Sequence, residues 1–302
     1  MAGEASSGSR VRRRVPLPQA AAAVSMGTAI SLALLKLWGG VVTHAMTLWS
    51  LMADSCLDLL ASGTNFFFIR QSFRPPDERF PYGYGKAESI AALSQSYIIG
   101  FSALVLGYRS LETLVHPAPL HRVATGVWIL GVSWTATLVL TVFLRWVVRR
   151  TGSIAIRADA FHYETDLLTN LGGLVSLFLV QRTGRPFWDS LFSLGIVLYM
   201  LWGAFGIARR SVQELMDRTL TPEENRRLME IIQTFHPAVR RPHDFRSRRS
   251  GRRIFIEFHI EVDRSYSFEA AHDLAEDLIE CIRQEFPTAE VTVHVDPEGA
   301  TR

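Results

Sequence analysis

Six predominantly apolar stretches, each about 20 residues long or longer, run through the first two thirds of the chain. They lie at 19–42, 46–69, 89–115, 123–148, 154–180 and 187–208. Runs of that length match a bilayer's thickness, and a backbone in hydrocarbon must satisfy its own polar groups, so the sequence predicts an α-helical membrane domain. Arg10–Arg14 before the first stretch imitate a signal peptide. No small-residue cleavage site follows and five further stretches do, so the first is read as a span. After Arg209 and Arg210 the composition becomes that of a soluble domain. The expected architecture is a basic, disordered segment over 1–18, six transmembrane helices over 19–209, and a cytoplasmic domain over 210–302.

Loop charges set the orientation. With the N-terminus inside, the inner segments hold Arg10, Arg12, Arg13, Arg14, Arg70, Arg74, Arg79, Lys86, Arg145, Arg149, Arg150 and Arg157. The outer loops hold only Arg122, Arg182 and Arg185. Twelve cations against three place both termini in the cytoplasm. The same distribution explains the net charge of +3 and removes nucleic acid as a partner, because the arginines flank spans instead of forming a patch. The two cysteines, Cys56 and Cys281, are too few for a disulfide framework. Cys56, about 100° off the face of its acidic neighbours, reads as a packing residue.

Two spans carry charge. Asp54 and Asp58 lie four residues apart in the second, and His162 and Asp166 in the fifth. An i,i+4 pair shares one helix face. Three unpaired carboxylates at the bilayer centre would cost on the order of 10 kcal/mol at about 3 kcal/mol each. A divalent cation offsets that cost, and three carboxylates with one imidazole complete a four-coordinate shell. The donor set suits Zn²⁺, and also Fe²⁺, Mn²⁺, Co²⁺ or Cd²⁺, since no thiolate selects a soft ion. With His162 able to titrate, metal and proton compete for one site, the minimum chemistry of a metal–proton antiporter. Asp159, one turn towards the cytoplasm, fits either the site's mouth or a structural role.

The tail reads helix, strand, strand, helix, strand, a small α+β ferredoxin-like domain of the metallochaperone kind. Residues 221–235 open with a helix cap, 252–263 alternate like a strand, 267–286 form an amphipathic helix, and 290–295 a last strand. His243, His259, His272 and His294 fall on these elements, and Asp296 shares a strand face with His294. Such a set predicts a metal site in which Asp296 bridges two ions. His44, His116 and His121 read as outer-loop surface residues and His236 as a turn residue.

Taken together, LMADSCLDLLASGTN, YGYGKAESIAAL, RWVVRRTGSIAIRADAFHYETD, LMDR and VHVDP are similar to the cation diffusion facilitator family, closest to its bacterial ferrous-iron/zinc efflux branch. The resemblance covers nearly the whole chain. It implies a homodimer with a transport site at Asp54, Asp58, His162 and Asp166, working by alternating access against protons. It also implies a binuclear cytoplasmic site at His243, His259, His272, His294 and Asp296, an inter-subunit charge interlock through Lys86 and Asp217, and a hydrophobic gate at Phe161. An Asp at position 54, where other members have His, goes with broader ion selectivity in that family. Branch members also carry a loop site of one Asp and two His. Here Phe80 and Tyr84 replace the histidines and only Asp77 remains, so no loop site is expected.

Two other classes compete. A membrane metalloenzyme needs an open coordination position and a base, as in H-E-x-x-H, and the spans have no such motif. A membrane-anchored cytoplasmic metal sensor accounts for the tail but not for charges inside two spans.

Overall fold

The computed structural model describes residues 15–43, 46–115, 127–184 and 187–299. Residues 10–14, His44, His116, His121, Arg122 and Arg185 lie outside the described residues, and so does the side chain of Asp54. Six helices open the chain: α1 (Leu17–Thr43), α2 (Met46–Ser72), α3 (Ala87–Val115), α4 (Val127–Thr151), α5 (Ile154–Thr183) and α6 (Phe187–Leu215). At 25 to 30 residues they measure about 38–45 Å, beyond the roughly 30 Å of a hydrocarbon core. Four are also apolar enough to cross a membrane, over Leu17–Trp38, Ala87–Leu114, Gly131–Thr151 and Phe187–Leu215. The other two, α2 and α5, are the helices whose sequences carry the Asp and His residues.

Caps fix the ends of α5. Ser153 Oγ accepts from the Ile156 amide at 3.3 Å, and Gly184, at φ 67°, closes the helix with its N–H on the Val180 carbonyl at 2.8 Å. Alanines let the helices approach: Ala21, Ala22, Ala91, Ala155 and Ala160 are buried in one cluster with Leu144 and Tyr163. α3 packs mainly on α6 and α1 on α2, while α5 touches all five other long helices. That central position brings α5's polar face to α2. Cys56 is exposed on α2, so the packing role expected for it is not met within the chain.

The α+β domain comprises α7 (Pro222–Phe235), β1 (Arg240–Ser250), β2 (Arg253–Val262), α8 (Phe268–Glu285) and β3 (Ala289–Pro297). A capping box between Thr221 and Glu224 starts α7, and Ser267 caps α8. β2 is central, antiparallel to β1 and parallel to β3. A full ferredoxin-like βαββαβ sheet has four strands, and this one has three among the described residues, with α7 leading into β1. Ile256, Phe258 and Ile260 of β2 pack with Leu228 and Ile232 of α7 and Leu278 and Ile282 of α8. The opposite face of β2 is not simply wet. Phe255 and Glu261 are also buried, Phe255 beneath Tyr82 of the α2–α3 loop with ring centroids 5.4 Å apart.

Candidate metal centres

Asp58, His162 and Asp166 converge where α2 meets α5. His162 Nε2 lies 3.3 Å from Asp58 Oδ1 and 3.8 Å from Asp166 Oδ2. One ligand atom from each falls within 4.8 Å of the other two. Charge-assisted hydrogen bonds favour about 2.7–2.9 Å. Ligands at about 2.0–2.1 Å in a tetrahedron around zinc stand about 3.3–3.4 Å apart; the Asp58 contact matches that edge and the Asp166 contact is longer, so the three groups are close enough to share a cation. His162 is 5% exposed, whereas both carboxylates keep partial exposure, Asp166 at 36% of its side chain. Asp54 stands one turn before Asp58 on α2.

Neighbouring polar groups hold the imidazole's surroundings. Tyr163 Oη shares a hydrogen bond with Ser62 at 2.8 Å and accepts one from Ser25 at 3.4 Å, linking α5 to α2 and α1. Asp159 is completely buried, with Ser25 of α1 and Asn65 of α2, each 1% exposed, against its carboxylate. Two features were not anticipated from the sequence. Lys36 of α1 donates to Ser55 of α2 at 2.6 Å, one residue after Asp54. Glu164 of α5 pairs with Arg145 of α4 and accepts from Tyr199 of α6 at 3.0 Å.

The second cluster is made by strand register. Residue pairing sets His243 opposite His259, and His259 opposite His294, so three histidines form a row across the sheet. Asp296 lies two residues beyond His294 on the same face. His259 Nδ1 donates to Asp296 Oδ2 at 3.0 Å, His243 Nε2 lies 3.5 Å from the same oxygen, and His294 Nε2 is 3.2 Å from Oδ1. Asp296 thus meets three imidazoles through both its oxygens; His243, His259 and Asp296 each offer a ligand atom within 4.8 Å of the other two, while His294 stands beside that group on the other carboxylate oxygen. Burial pushes the Asp296 carboxyl up, but the His259 hydrogen bond and the nearby histidine charges outweigh it and hold the group below the ordinary 3.8. Register irregularities flank His243, where Arg241 and Asp244 take positive φ of 39° and 51°. Such bulges re-aim a side chain, here towards the row. His272 belongs to neither metal-capable group of the described residues; it is exposed on α8, its ring parallel to Phe268.

Asp77 is occupied by its own loop. Its carboxylate accepts from Tyr84 Oη at 2.6 Å and from the amides of Phe80 and Arg79 at 2.8 and 3.0 Å. These bonds, that of Tyr84 first, hold its carboxyl below the usual range, and Asp77 in turn raises the Tyr84 hydroxyl. Lys86 Nζ sits 3.0 Å from Asp217 within one chain and 3.1 Å from the Leu215 carbonyl. Phe161 lies against Tyr199 of α6, ring centroids 5.4 Å apart.

Comparison with known proteins agrees with this architecture. Residues 22–216 match the cation efflux transmembrane domain, and residues 220–298 match the cytoplasmic domain of cation efflux proteins. The cation-efflux pump FieF of Pectobacterium atrosepticum is 41% identical over 281 residues, covering 92% of this chain and 93% of that protein. FieF of Klebsiella pneumoniae is 38% identical over 279 residues, with 92% of each chain covered. The metal-bound C-terminal domain of the CzcD transporter from Thermotoga maritima is 33% identical, with 26% of this chain and 93% of that one covered and a TM-score of 0.25. With the family's membrane domain matched over most of its length and relatives this similar from end to end, the chain belongs to the cation efflux family, the cation diffusion facilitators, and is a cation efflux transporter.

Proposed function

We propose that this transporter exports divalent transition-metal ions, Zn²⁺ and Fe²⁺ foremost, in exchange for protons. The observation that carries the reading is the convergence of Asp58, His162 and Asp166 between α2 and α5, with Asp54 one turn away. The metal is substrate. When it binds, the carboxylates and the His162 imidazole supply its ligands; when it leaves, protons restore neutrality, so uptake of one requires release of the other. In this reading all six long helices cross the bacterial inner membrane, both termini are cytoplasmic, and residues from about 210 onward form the cytoplasmic unit. α2 and α5 tolerate their charges because those charges face the substrate. Phe161, next to His162 and against α6, gates the site.

The cytoplasmic cluster of His243, His259, His294 and Asp296 takes regulatory metal. His272, exposed on α8, completes the set when two cytoplasmic domains join in a homodimer. Lys86 and Asp217 act at the inner membrane face where the two subunits meet. The sensor reading differs in one measurable respect: it needs no flux.

The test is metal uptake into proteoliposomes under an imposed pH gradient, with Zn²⁺, Fe²⁺, Cd²⁺ and Mn²⁺, for the wild type and Asp58→Ala. Gradient-driven flux lost in the variant supports the exchanger. Flux unchanged by the variant, or no flux with any ion while the cytoplasmic cluster still binds metal, refutes it.

A further inference from the structure

Between the ends of α4 and α6 and the start of α5 lies a cavity of about 760 Å³. Five arginines line it, Arg145, Arg149, Arg157, Arg209 and Arg210, against one acid, Glu164. Glu164 is taken by Arg145, and Arg210 lies 3.5 Å from Glu214. Arg149, Arg157 and Arg209 have no ion pair among the described residues. α5 begins at this point, and its N-terminal dipole adds to the positive potential. A dication is repelled by such a lining, which suits an anion instead. Its walls are also apolar: Trp202 and Phe205, 75% and 68% exposed, stand on α6 beside the arginines.

An anionic head with an apolar body matches both halves of this surface. We propose that the cavity binds the phosphate headgroup of an anionic phospholipid, with Arg149, Arg157 and Arg209 as its partners and the acyl chains along Trp202 and Phe205. Basic pockets between transmembrane helices on the cytoplasmic side take such headgroups, and Arg is favoured over Lys because its planar fork binds phosphate bidentately. The inference rests on α4, α5 and α6 crossing the bilayer with these ends at its cytoplasmic face. It does not depend on which ion is carried. Phe161 and Gly203 form part of the same wall, so a bound lipid would brace α5 against α6 beside the transport site.

The experiment is native mass spectrometry of the full chain released from micelles doped with phosphatidylglycerol or phosphatidylcholine. The wild type should retain phosphatidylglycerol in preference. Arg157→Gln should weaken retention roughly fivefold, and Arg149→Gln/Arg157→Gln/Arg209→Gln on the order of a hundredfold, at about 1 kcal/mol per arginine. Arg157→Lys keeps the charge and loses the fork, so its retention should fall between that of the wild type and Arg157→Gln, which separates a binding role from a folding defect. Arg150→Gln is the control, since Arg150 stacks over Trp146 at 5.4 Å and does not line the cavity. Equal retention by wild type and triple variant overturns the proposal. So does displacement of the lipid by millimolar inorganic phosphate, which would mark a free-anion site. Conversion of dimer to monomer at unchanged lipid count in the triple variant would assign the face to a second copy and overturn it as well.

Discussion

The ring of Phe161 fills the space that a side chain on Gly203 would need, its tip lying against the position a Cβ would take. This contact between α5 and α6 sits one residue from His162. Overpacking a well-filled contact costs typically about 1–3 kcal/mol, so Gly203→Ala should displace the ring or spread the two helices. We expect flux to fall about tenfold with metal binding at the Asp58–His162–Asp166 cluster retained, as 1.4 kcal/mol corresponds to one decade. Phe161→Ala in the same chain should make Gly203→Ala nearly silent. Equal loss in the single and double variants would show that the contact is not the cause.

Lys86 and Asp217 are 34% and 41% exposed, so their bond alone contributes little stability, about 1 kcal/mol at most. Asp217 has a positive φ of 57° directly after α6, a conformation that Asn also adopts readily. Asp217→Asn therefore removes the charge and keeps the turn. It should leave the melting temperature within a few degrees and lower flux severalfold. The exchange Lys86→Asp/Asp217→Lys should recover part of that flux, measured in the same proteoliposomes. Failure of both the loss and the recovery would reduce the pair to a surface contact.

For the cytoplasmic cluster the sign of pH dependence follows from Asp296. Its folded-state carboxyl is held below the ordinary 3.8. Its contribution to stability is therefore complete above that value and is lost as pH falls through the lowered one. Asp296→Asn should flatten the acid unfolding of the domain below about pH 4 and leave the pH 6–8 range unchanged in slope. Zinc affinity of the cluster should drop roughly tenfold or more in the variant, by titration calorimetry. An unchanged acid limb would mean the three histidines do not act on this carboxylate as described.

Much of this arrangement could be read from spacing, and some of it could not. The i,i+4 rule placed Asp58, His162 and Asp166 on two faces, and the structure brings those faces together. The length of the apolar runs points to the long helices, yet α6 runs through Arg209 and Arg210 to Leu215, because a composition break marks the edge of an apolar stretch and not the end of a helix. The sequence names His243, His259, His272, His294 and Asp296 as one set, but local spacing puts only His294 and Asp296 on a shared face. His243 lies in β1, whose sequence RRPHDFRSRRS has no alternation, and its partner is set by two register irregularities that no local period encodes. Lys36 and Arg145 lie on other helices, and their partners Ser55 and Glu164 come from tertiary packing that no local spacing encodes. Burial of Asp159 likewise reflects five helices around α5, not its own neighbours in sequence.

Docking of the α+β domain on the membrane domain supplies the last prediction. Gly85 of the α2–α3 loop meets the β1–β2 turn backbone to backbone. A Cβ on Gly85 would come within 2.8 Å of Ser250 Oγ, and one on Gly251 within 2.9 Å of the Gly85 carbonyl oxygen. Two guanidiniums bolt the contact: Arg248 lies 4.7 Å from the rings of both Tyr82 and Phe255, and Arg252 lies 4.6 Å from Phe73. At about 0.5–1 kcal/mol each, these cation–π contacts hold the turn firmly while the glycines allow it to seat. The same two strands carry His243 and His259 at their far end. Gly85→Ala should therefore unseat the turn, raise hydrogen exchange across residues 73–85, and abolish any stimulation of flux by cytoplasmic metal. Zinc stoichiometry at the cluster should stay at the wild-type level, because no ligand moves relative to its neighbours in the sheet. Stimulation that persists with the loop demonstrably loosened would show that the signal reaches the membrane by another route, through α6 and Asp217.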